Sequence, residues 1–540
     1  MTPDQNKQYG SRSRDSLRRW LDLIVVDAFR QFHWSYVPPL MVYLAAGVSG
    51  LTAVVGTFFI KEYLGLSAGY LAGLGFWAGL PWTLKMPLGH LVDLWWHRKA
   101  WLVYLGATLI AASLAIMYGL VMHADAMRAL MSVETWFVLS TLLAPTGYVV
   151  QDVVADAMTV EAVPVNDPAG VPFPEDVVKR KHTTMQTFGR FAIIGGSMLV
   201  AALNISLFSG VADMSEADRI AVYGRIYLIS LVIPCISVAG VLMAAVLNSR
   251  RKQPVALPAE PARPNWWILG GSLVFVLFTV LVGASDLPAA QEIVFVGAFG
   301  IILFLMNRLL RELNPQARRG LIGTAVIVFV FRALPMPGAG ATWFEIDALG
   351  FDQQFLAVLS LISTMIAMVG MVVLRPLMAS RSIAYVVALL TIAAGVLALP
   401  NIGLFYGVHN WTAAWTGGVV DARAIALVDT MLESPLGQIA MIPMLAWIAR
   451  IAPDHLKATF FAVMASFTNL ALSASSLGTK YLNRWLLVTR EVRDKTSQAV
   501  VVPADYSDLG VLLITVALIG LVVPLLIISI VQNSRWRTEA

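Results

Sequence analysis

The 540-residue sequence predicts an all-α polytopic membrane protein, and three features of it lead there. Apolar residues make up 58% of the chain and charged residues 13%, whereas soluble domains run at roughly 45–50% and about 25%. Apolar runs of membrane-spanning length recur from residue 38 to residue 532. The Lys and Arg residues between those runs concentrate on alternate connections. So large an apolar surplus exceeds what one core can bury, which excludes an ordinary soluble enzyme and a disordered scaffold. A single cysteine, Cys235, excludes an intrachain disulfide and a cysteine-based metal cluster. The net charge of +5 fits loops lying beside acidic lipid better than nucleic-acid binding.

Crossing about 30 Å of hydrocarbon takes about 20 mostly apolar helical residues. Fourteen stretches qualify: 38–60, 67–91, 100–122, 135–160, 183–207, 221–247, 266–283, 290–307, 320–342, 353–377, 383–405, 424–449, 457–480 and 509–532. An even number places both termini on one side. Of the 38 Lys and Arg, 25 fall on the side of the termini, ten on the opposite side, and three, Lys85, Arg190 and Arg332, inside spans. The excess marks the side of the termini as cytoplasmic, in an inner or plasma membrane. Half of the ten sit in one connection, 480–508. The first 33 residues are polar and carry no cleavable signal. Residues 16–32 read equally well as an amphipathic surface helix and as a plain cytosolic lead-in.

These boundaries divide the chain into an N-terminal segment 1–33, a six-helix half 34–247, a linker 248–265, a transmembrane hairpin 266–310, a second six-helix half 311–534 and a tail 535–540. The linker carries Pro254, Pro258, Pro261 and Pro264, and the hairpin opens on the interface pair Trp266 and Trp267. Six spans on either side of a cytoplasmic linker suggest two halves related by an axis along the membrane normal, with the hairpin inserted at their seam. Internal similarity is faint. Lys85-Met86-Pro87-Leu88 in span 2 matches Leu374-Arg375-Pro376-Leu377 in span 10.

An ion at the bilayer centre costs roughly 2.5–3.5 kcal/mol, so each intramembrane charge needs a reason. Counted from the cytoplasmic ends, Lys85, Asp152 and Arg190 lie about 10–13 Å deep at 1.5 Å per residue. Asp156 follows Asp152 at i+4, on the same helix face. Two readings of this group stand side by side. It is a static cluster pinning spans 2, 4 and 5, or a pathway lining in which a carboxylate takes up a proton and releases its cation to the substrate.

Arg332 lies about twelve residues into span 9 and is followed by Pro335, Pro337, Gly338 and Gly340. Broken backbone at that depth requires water or protein around it. The arginine there suits either a substrate carboxylate or a structural partner such as Glu345 or Asp429. Span 13 carries the polar stripe Thr459, Ser466, Asn469, Ser473 and Ser476, a pattern used for interhelical contact more often than for ligands. Gly69 with Gly73, and Gly75 with Gly79, mark close helix packing in span 2. Trp343 and Phe344 could stack on a flat ring, but they suit anchoring at the outer interface better. No phosphate-binding loop, H-E-x-x-H or G-x-S-x-G motif occurs, so a carrier is expected rather than an enzyme.

Several stretches carry a resemblance. Gly89-x-x-x-Asp93 with His97-Arg98-Lys99 resembles the loop signature of the major facilitator superfamily. Pro81-Trp82-x-x-Lys85-x-Pro87, Asp152-x-x-x-Asp156-Ala with Glu161, and Phe331-Arg332-x-x-Pro335 resemble the folate–biopterin transporter family. So do Phe344-Glu345-x-Asp347-x-Leu-Gly350 and Ala458-Thr459-x-Phe-Ala462-x-Met464-x-Ser466-x-x-Asn469. The resemblance runs from span 1 to span 14 and omits 248–319. It implies a twelve-helix core that alternates access, usually by proton symport, for folates, pterins or related compounds.

On that resemblance Gly89, Asp93 and Arg98 form a gating loop, and Lys85, Asp152, Asp156 and Arg190 line or couple the inner cavity. The substrate-binding candidates are Arg332, Trp343, Ser466 and Asn469. The extra hairpin and the bulky Leu94-Trp95-Trp96 depart from the family pattern. The first half also resembles muropeptide permeases, commonly drawn with fourteen spans. The expected protein is thus a major facilitator type secondary transporter, two six-helix halves plus an inserted hairpin, about 14 transmembrane helices. Its expected partners are a small organic anion such as a folate or pterin, a proton and the lipid bilayer. No cofactor, metal or nucleic acid is expected, and the oligomeric state is left open, a monomer being one option. A muropeptide-type permease and a non-transporting membrane assembly factor are the alternatives, and buried ions favour transport over a static assembly role.

Overall fold

The computed structural model describes residues 32–63, 66–164, 166, 171–250, 266–283, 285, 287–311, 313–373, 381–434, 457–493 and 500–538. The amphipathic candidate 16–32 (all but its last residue), most of the linker, and the second half of span 12 lie outside the described residues, as do the side chains of Asp93 and Thr459. Among the described residues each of the fourteen expected stretches contains helix, interrupted in 67–91 and 320–342. Among the described residues nine helices are long and apolar enough to cross a membrane.

The first helix, α1, runs Trp34–Lys61. Span 2 is two helices, α2 (Ala68–Gly79) and α3 (Lys85–Leu94), joined by a 3-10 turn over Leu80–Leu84. Then come α4 (Ala100–Met122), α5 (Val133–Ala162), α6 (Glu175–Leu207), and the pair α7 (Glu216–Ser230) and α8 (Val232–Arg250). The hairpin is α9 (Trp266–Gly283) and α10 (Ala290–Leu310). After it lie α11 (Pro315–Arg332), α12 (Ala339–Asp347), α13 (Gln353–Val373), α14 (Ile383–Phe405), α15 (Val408–Trp415), α16 (Ala422–Glu433), α17 (Lys457–Trp485) and α18 (Leu509–Gln532). A two-residue strand Val492–Arg493 pairs antiparallel with Val500–Val502 in the connection ahead of α18.

Local chemistry sets the starts. Ser67, Ser132, Ser215, Ser382 and Asp421 accept a backbone N–H two or three residues into α2, α5, α7, α14 and α16. Asn314 does the same for α11, with Pro315 at the first position, where a missing N–H costs nothing. The interruptions follow from proline. Pro81 and Pro87 flank the turn in span 2, and Pro335 and Pro337 leave Ala333–Gly338 without helix. Gly338 takes φ +82°, a conformation that L side chains avoid, and a Cβ there would lie 2.9 Å from Asn483 Nδ2.

Helices before residue 250 pack chiefly on one another, α4 on α5 and α1 on α6 and α8. Two lines of contact join them to the later helices: α2 against α17, and α6 against α13. The hairpin stands along the first of these lines. Phe275, Val294, Ala298 and Ile302 share one apolar cluster with Phe76 and Leu80 of span 2 and Val463 and Phe467 of α17. An apolar groove of about 560 Å³, lined in part by Trp266, Trp267, Phe304 and Ser466, runs beside it. The four span 2 glycines face this seam, with built Cβ positions 3.1–3.6 Å from Gln291, Ser473, Ser476 and the Lys480 carbonyl.

Where α1 crosses α6 the backbones meet. A Cβ on Gly47 would lie 2.2 Å from the Ile193 carbonyl oxygen, and Ser197 Oγ donates to Gly47 O at 3.1 Å. Neither backbone can yield as a flexible side chain does. Gly47→Ala is therefore expected to destabilise the protein by about 1–3 kcal/mol, seen as a lowered thermal midpoint in detergent. An unchanged midpoint would remove the close-crossing account.

Candidate functional site

Asp152 and Asp156 project from one face of α5, and Lys85 opens α3 at the break in span 2. Lys85 Nζ lies 2.6 Å from Asp152 Oδ2 and 2.9 Å from Asp156 Oδ2. The Tyr43 hydroxyl, from α1, donates to Asp156 Oδ1 at 2.6 Å. One ammonium thus bridges two carboxylates, and a phenol holds the second from its far side. Asp152 and Lys85 are largely enclosed, at 16% and 25% side-chain exposure, whereas Asp156 is 45% exposed. The trio sits at the border between the packed helices and accessible space.

Arg190 does not join that trio. It is exposed on α6, with no carboxylate among the described residues at ion-pair distance. The expected grouping of Lys85, Asp152, Asp156 and Arg190 is therefore corrected to one cation between two anions. Depth can be counted along a helix, but the direction in which Arg190 leaves its helix cannot.

In the expected gating loop the side chain of Asp93 lies outside the described residues. Gly89 faces Val153 of α5, and Arg98 is exposed at the end of a 3-10 turn over Trp96–Arg98. The next cation, Lys99, is the buried one. It pairs with Glu161 at the end of α5, donates to Trp96 O at 3.2 Å and lies 4.1 Å from the Trp96 ring centre. Lys99 and Glu161 fasten this loop to α5, a pairing that the sequence reading left unassigned. The basic run His97-Arg98-Lys99 and the trailing Glu161 were its only signals.

Arg332 ends α11 with its Nε donating to Thr468 O of α17 at 3.3 Å. Neither Glu345 nor Asp429 pairs with it, the structural partner being the Thr468 carbonyl instead, and its Nη atoms have no partner among the described residues. The open backbone after it is satisfied by α17: Ser475 Oγ donates to Leu334 O, Met336 N to Thr479 Oγ1, and Asn483 Nδ2 to Pro337 O, at 2.5–3.0 Å. Asn469, beside Thr468, donates to Trp82 O at 3.1 Å in the other broken span. One helix thus serves both interruptions, as lipid requires of backbone that leaves a helix. It also links Arg332 to the turn that carries Lys85, three residues past Trp82.

Ser466 and Ser473 are buried, and their Oγ atoms have no partner among the described residues. Ser466 lies against the hairpin groove. Trp343 is 2% exposed, with the Arg490 guanidinium 5.2 Å from its ring centre. Enclosure on all sides leaves it no free ring face, which corrects its expected role of stacking on a ligand. Phe344 packs on Phe405 and Tyr506.

Lys480 brings a further correction. Counted among the loop cations, it is 6% exposed inside α17 and donates to Gln291 Oε1 at 2.7 Å and Glu292 Oε1 at 2.9 Å, both on the hairpin. The Tyr481 hydroxyl donates to the same Glu292 oxygen at 2.5 Å, and Gln291 Nε2 donates to Gly73 O of α2 at 2.9 Å.

Solved structures similar to this one include a POT family transporter in complex with 5-aminolevulinic acid (TM-score 0.62, 13% identity, 92% of this chain and 95% of that one). The nucleoside transporter NupG is another (TM-score 0.55, 11% identity, 92% and 98%). At such identities the likeness speaks for the fold alone, and the fold is that of a helical membrane transporter of the major facilitator type. The model of the BT1 family matches residues 46–539, and the chain belongs to that family. It is 21% identical over 475 residues, 87% of this chain and 78% of the other, to the folate-biopterin transporter of Synechocystis sp..

Proposed function

We propose that this protein is a proton-coupled secondary transporter of a small organic anion, a folate or a pterin, working by alternating access. The observation that carries the reading is the single Lys85 ammonium between Asp152 and Asp156. One lysine balances one carboxylate. The second negative charge, on the half-exposed Asp156, faces the accessible side, from which the coupled proton is taken. The Tyr43 hydroxyl, a group able both to donate and to accept, lies 2.6 Å from Asp156 Oδ1. The excess of Lys and Arg on the side of the termini supports a cytoplasmic location for both ends and for the face nearest this trio.

Arg332 is the anchor for the anion, with Asn469 positioning the neighbouring turn. Its Nη atoms are open to a carboxylate at the level where both spans are broken. The folate or pterin assignment rests on the family and on the cyanobacterial relative's name.

Thermal stabilisation of the purified protein by ligands tests this directly. A folate is expected to raise the midpoint of the native protein, and Arg332→Ala to weaken that folate's apparent affinity at least about tenfold, the loss of a charge-assisted pair. Uncharged pterins should lose little. Absence of stabilisation by any folate or pterin would overturn the substrate class, and equal losses for both would remove Arg332 as the anchor.

A further inference from the structure

At the end of the bundle opposite the termini, the two halves meet through one carboxylate. Asp347 closes α12, in the second half. Its Oδ1 lies 2.6 Å from Nζ of Lys61, which ends α1 in the first half, and its Oδ2 accepts from the Tyr506 hydroxyl at 2.6 Å. Lys61 is 16% exposed and Asp347 31%, so the pair is sheltered without being sealed. Beside it, Gln353 Nε2 at the start of α13 donates to the Tyr223 hydroxyl of α7 at 2.9 Å, again across the halves. Ile346 and Leu356 lean into the apolar cluster of the first half formed by Val55, Phe58, Phe59 and their neighbours. Burial and the adjacent carboxylate push the Tyr506 phenol up from its ordinary value, so it remains a donor.

We infer that Asp347 is the latch residue of this distal end: it clasps Lys61 and Tyr506 while the distal side is shut, and releases Lys61 when the halves part. The inference rests on the alternating-access reading, because only a protein whose halves separate has a use for a breakable tie there. Its strength suits that use. A sheltered pair of this kind shifts an equilibrium by severalfold and does not lock it, so the clasp biases the closed form and still opens in turnover.

Accessibility provides the test, in a background where exposed Cys235 is replaced by alanine and Ser476→Cys supplies the probe. Ser476 lies on α17 about 13 Å below its distal end, at 1.5 Å per residue over the nine positions to Trp485. An impermeant maleimide is applied from the distal side of sealed cells. Lys61→Ala and Asp347→Asn are each expected to raise the labelling rate about fivefold. Lys61→Arg, which keeps the charge, should stay at the background rate. Unchanged rates in both charge-removing variants, or equal rates in Lys61→Arg and Lys61→Ala, would overturn the latch. Tyr506→Phe, the loss of one hydroxyl, carries the same comparison should a charge variant not reach the membrane. The readout needs neither substrate nor proton gradient, so its failure is separate from failure of the cargo or coupling assignment.

Discussion

Deletion of residues 266–307, with the ends rejoined by a flexible linker, is expected to leave no folded protein in the membrane. Apolar packing is not the reason. Lipid tails are as apolar as leucine, so the surface of Phe76, Val463 and Phe467 uncovered by the deletion would simply be covered by lipid. The decisive loss is electrostatic. Lys480 is 6% exposed, and the oxygens that receive its ammonium among the described residues, from Gln291 and Glu292, both leave with the hairpin. Stranding one member of a buried pair costs about 3–5 kcal/mol. A typical protein has only about 5–15 kcal/mol of stability to draw on. Loss of the Gln291 bond to Gly73 then loosens α2 against α17 as well. The electrostatic account makes a sharper forecast than loss of fold: adding Lys480→Met to the deletion should restore folded protein, measured as membrane abundance and a cooperative thermal transition. A deletion protein with native abundance and midpoint would show instead that the hairpin is peripheral. A deletion that stays unfolded with Lys480→Met would return the weight to packing.

What could be read in the sequence divides along one physical line. Lipid imposes length and hydropathy on each span, and those are properties of a segment alone. Accordingly 266–283, 383–405 and 509–532 match helices Trp266–Gly283, Ile383–Phe405 and Leu509–Gln532 residue for residue. Depth is also local, so Lys85 could be placed level with Asp152, and the i+4 rule put Asp156 beside it. Azimuth is not local. Arg190 sits at a suitable depth and points elsewhere, while Tyr43, a neutral residue whose presence in a span costs little, gave no warning that it closes the site. The continuous helix expected for 67–91 failed for a similar reason. Whether Pro81 and Pro87 break a span depends on a partner able to bond the freed carbonyl, and that partner, Asn469, lies almost four hundred residues along the chain. Of the stripe expected on span 13, Asn469 bonds another span while Ser466 and Ser473 have no partner among the described residues, and the bonds to the second broken span come from Ser475, Thr479 and Asn483, one face round from the residues singled out.

Asp152→Asn and Asp156→Asn are each expected to abolish uphill, pH-gradient-driven uptake, by more than about tenfold, while leaving membrane abundance near native. Each single change removes one of the two carboxylates and leaves Lys85 with the other, so neither strands a buried charge. What goes is the surplus negative charge that calls for the proton. A carrier without it can still exchange cargo between two sides at equal pH, so counterflow should survive in both variants although accumulation does not. Lys85→Ala stands in deliberate contrast. It leaves two carboxylates on one helix face with Tyr43 donating to only one of them, and it should lower protein abundance as well as uptake. The three variants together separate a static salt bridge from a coupling site. If the trio only pins α3 to α5, the two asparagine variants will accumulate cargo normally and Lys85→Ala will fail solely through lost stability. If the trio couples, accumulation and counterflow will part company in the asparagine variants, because only the first draws on the proton.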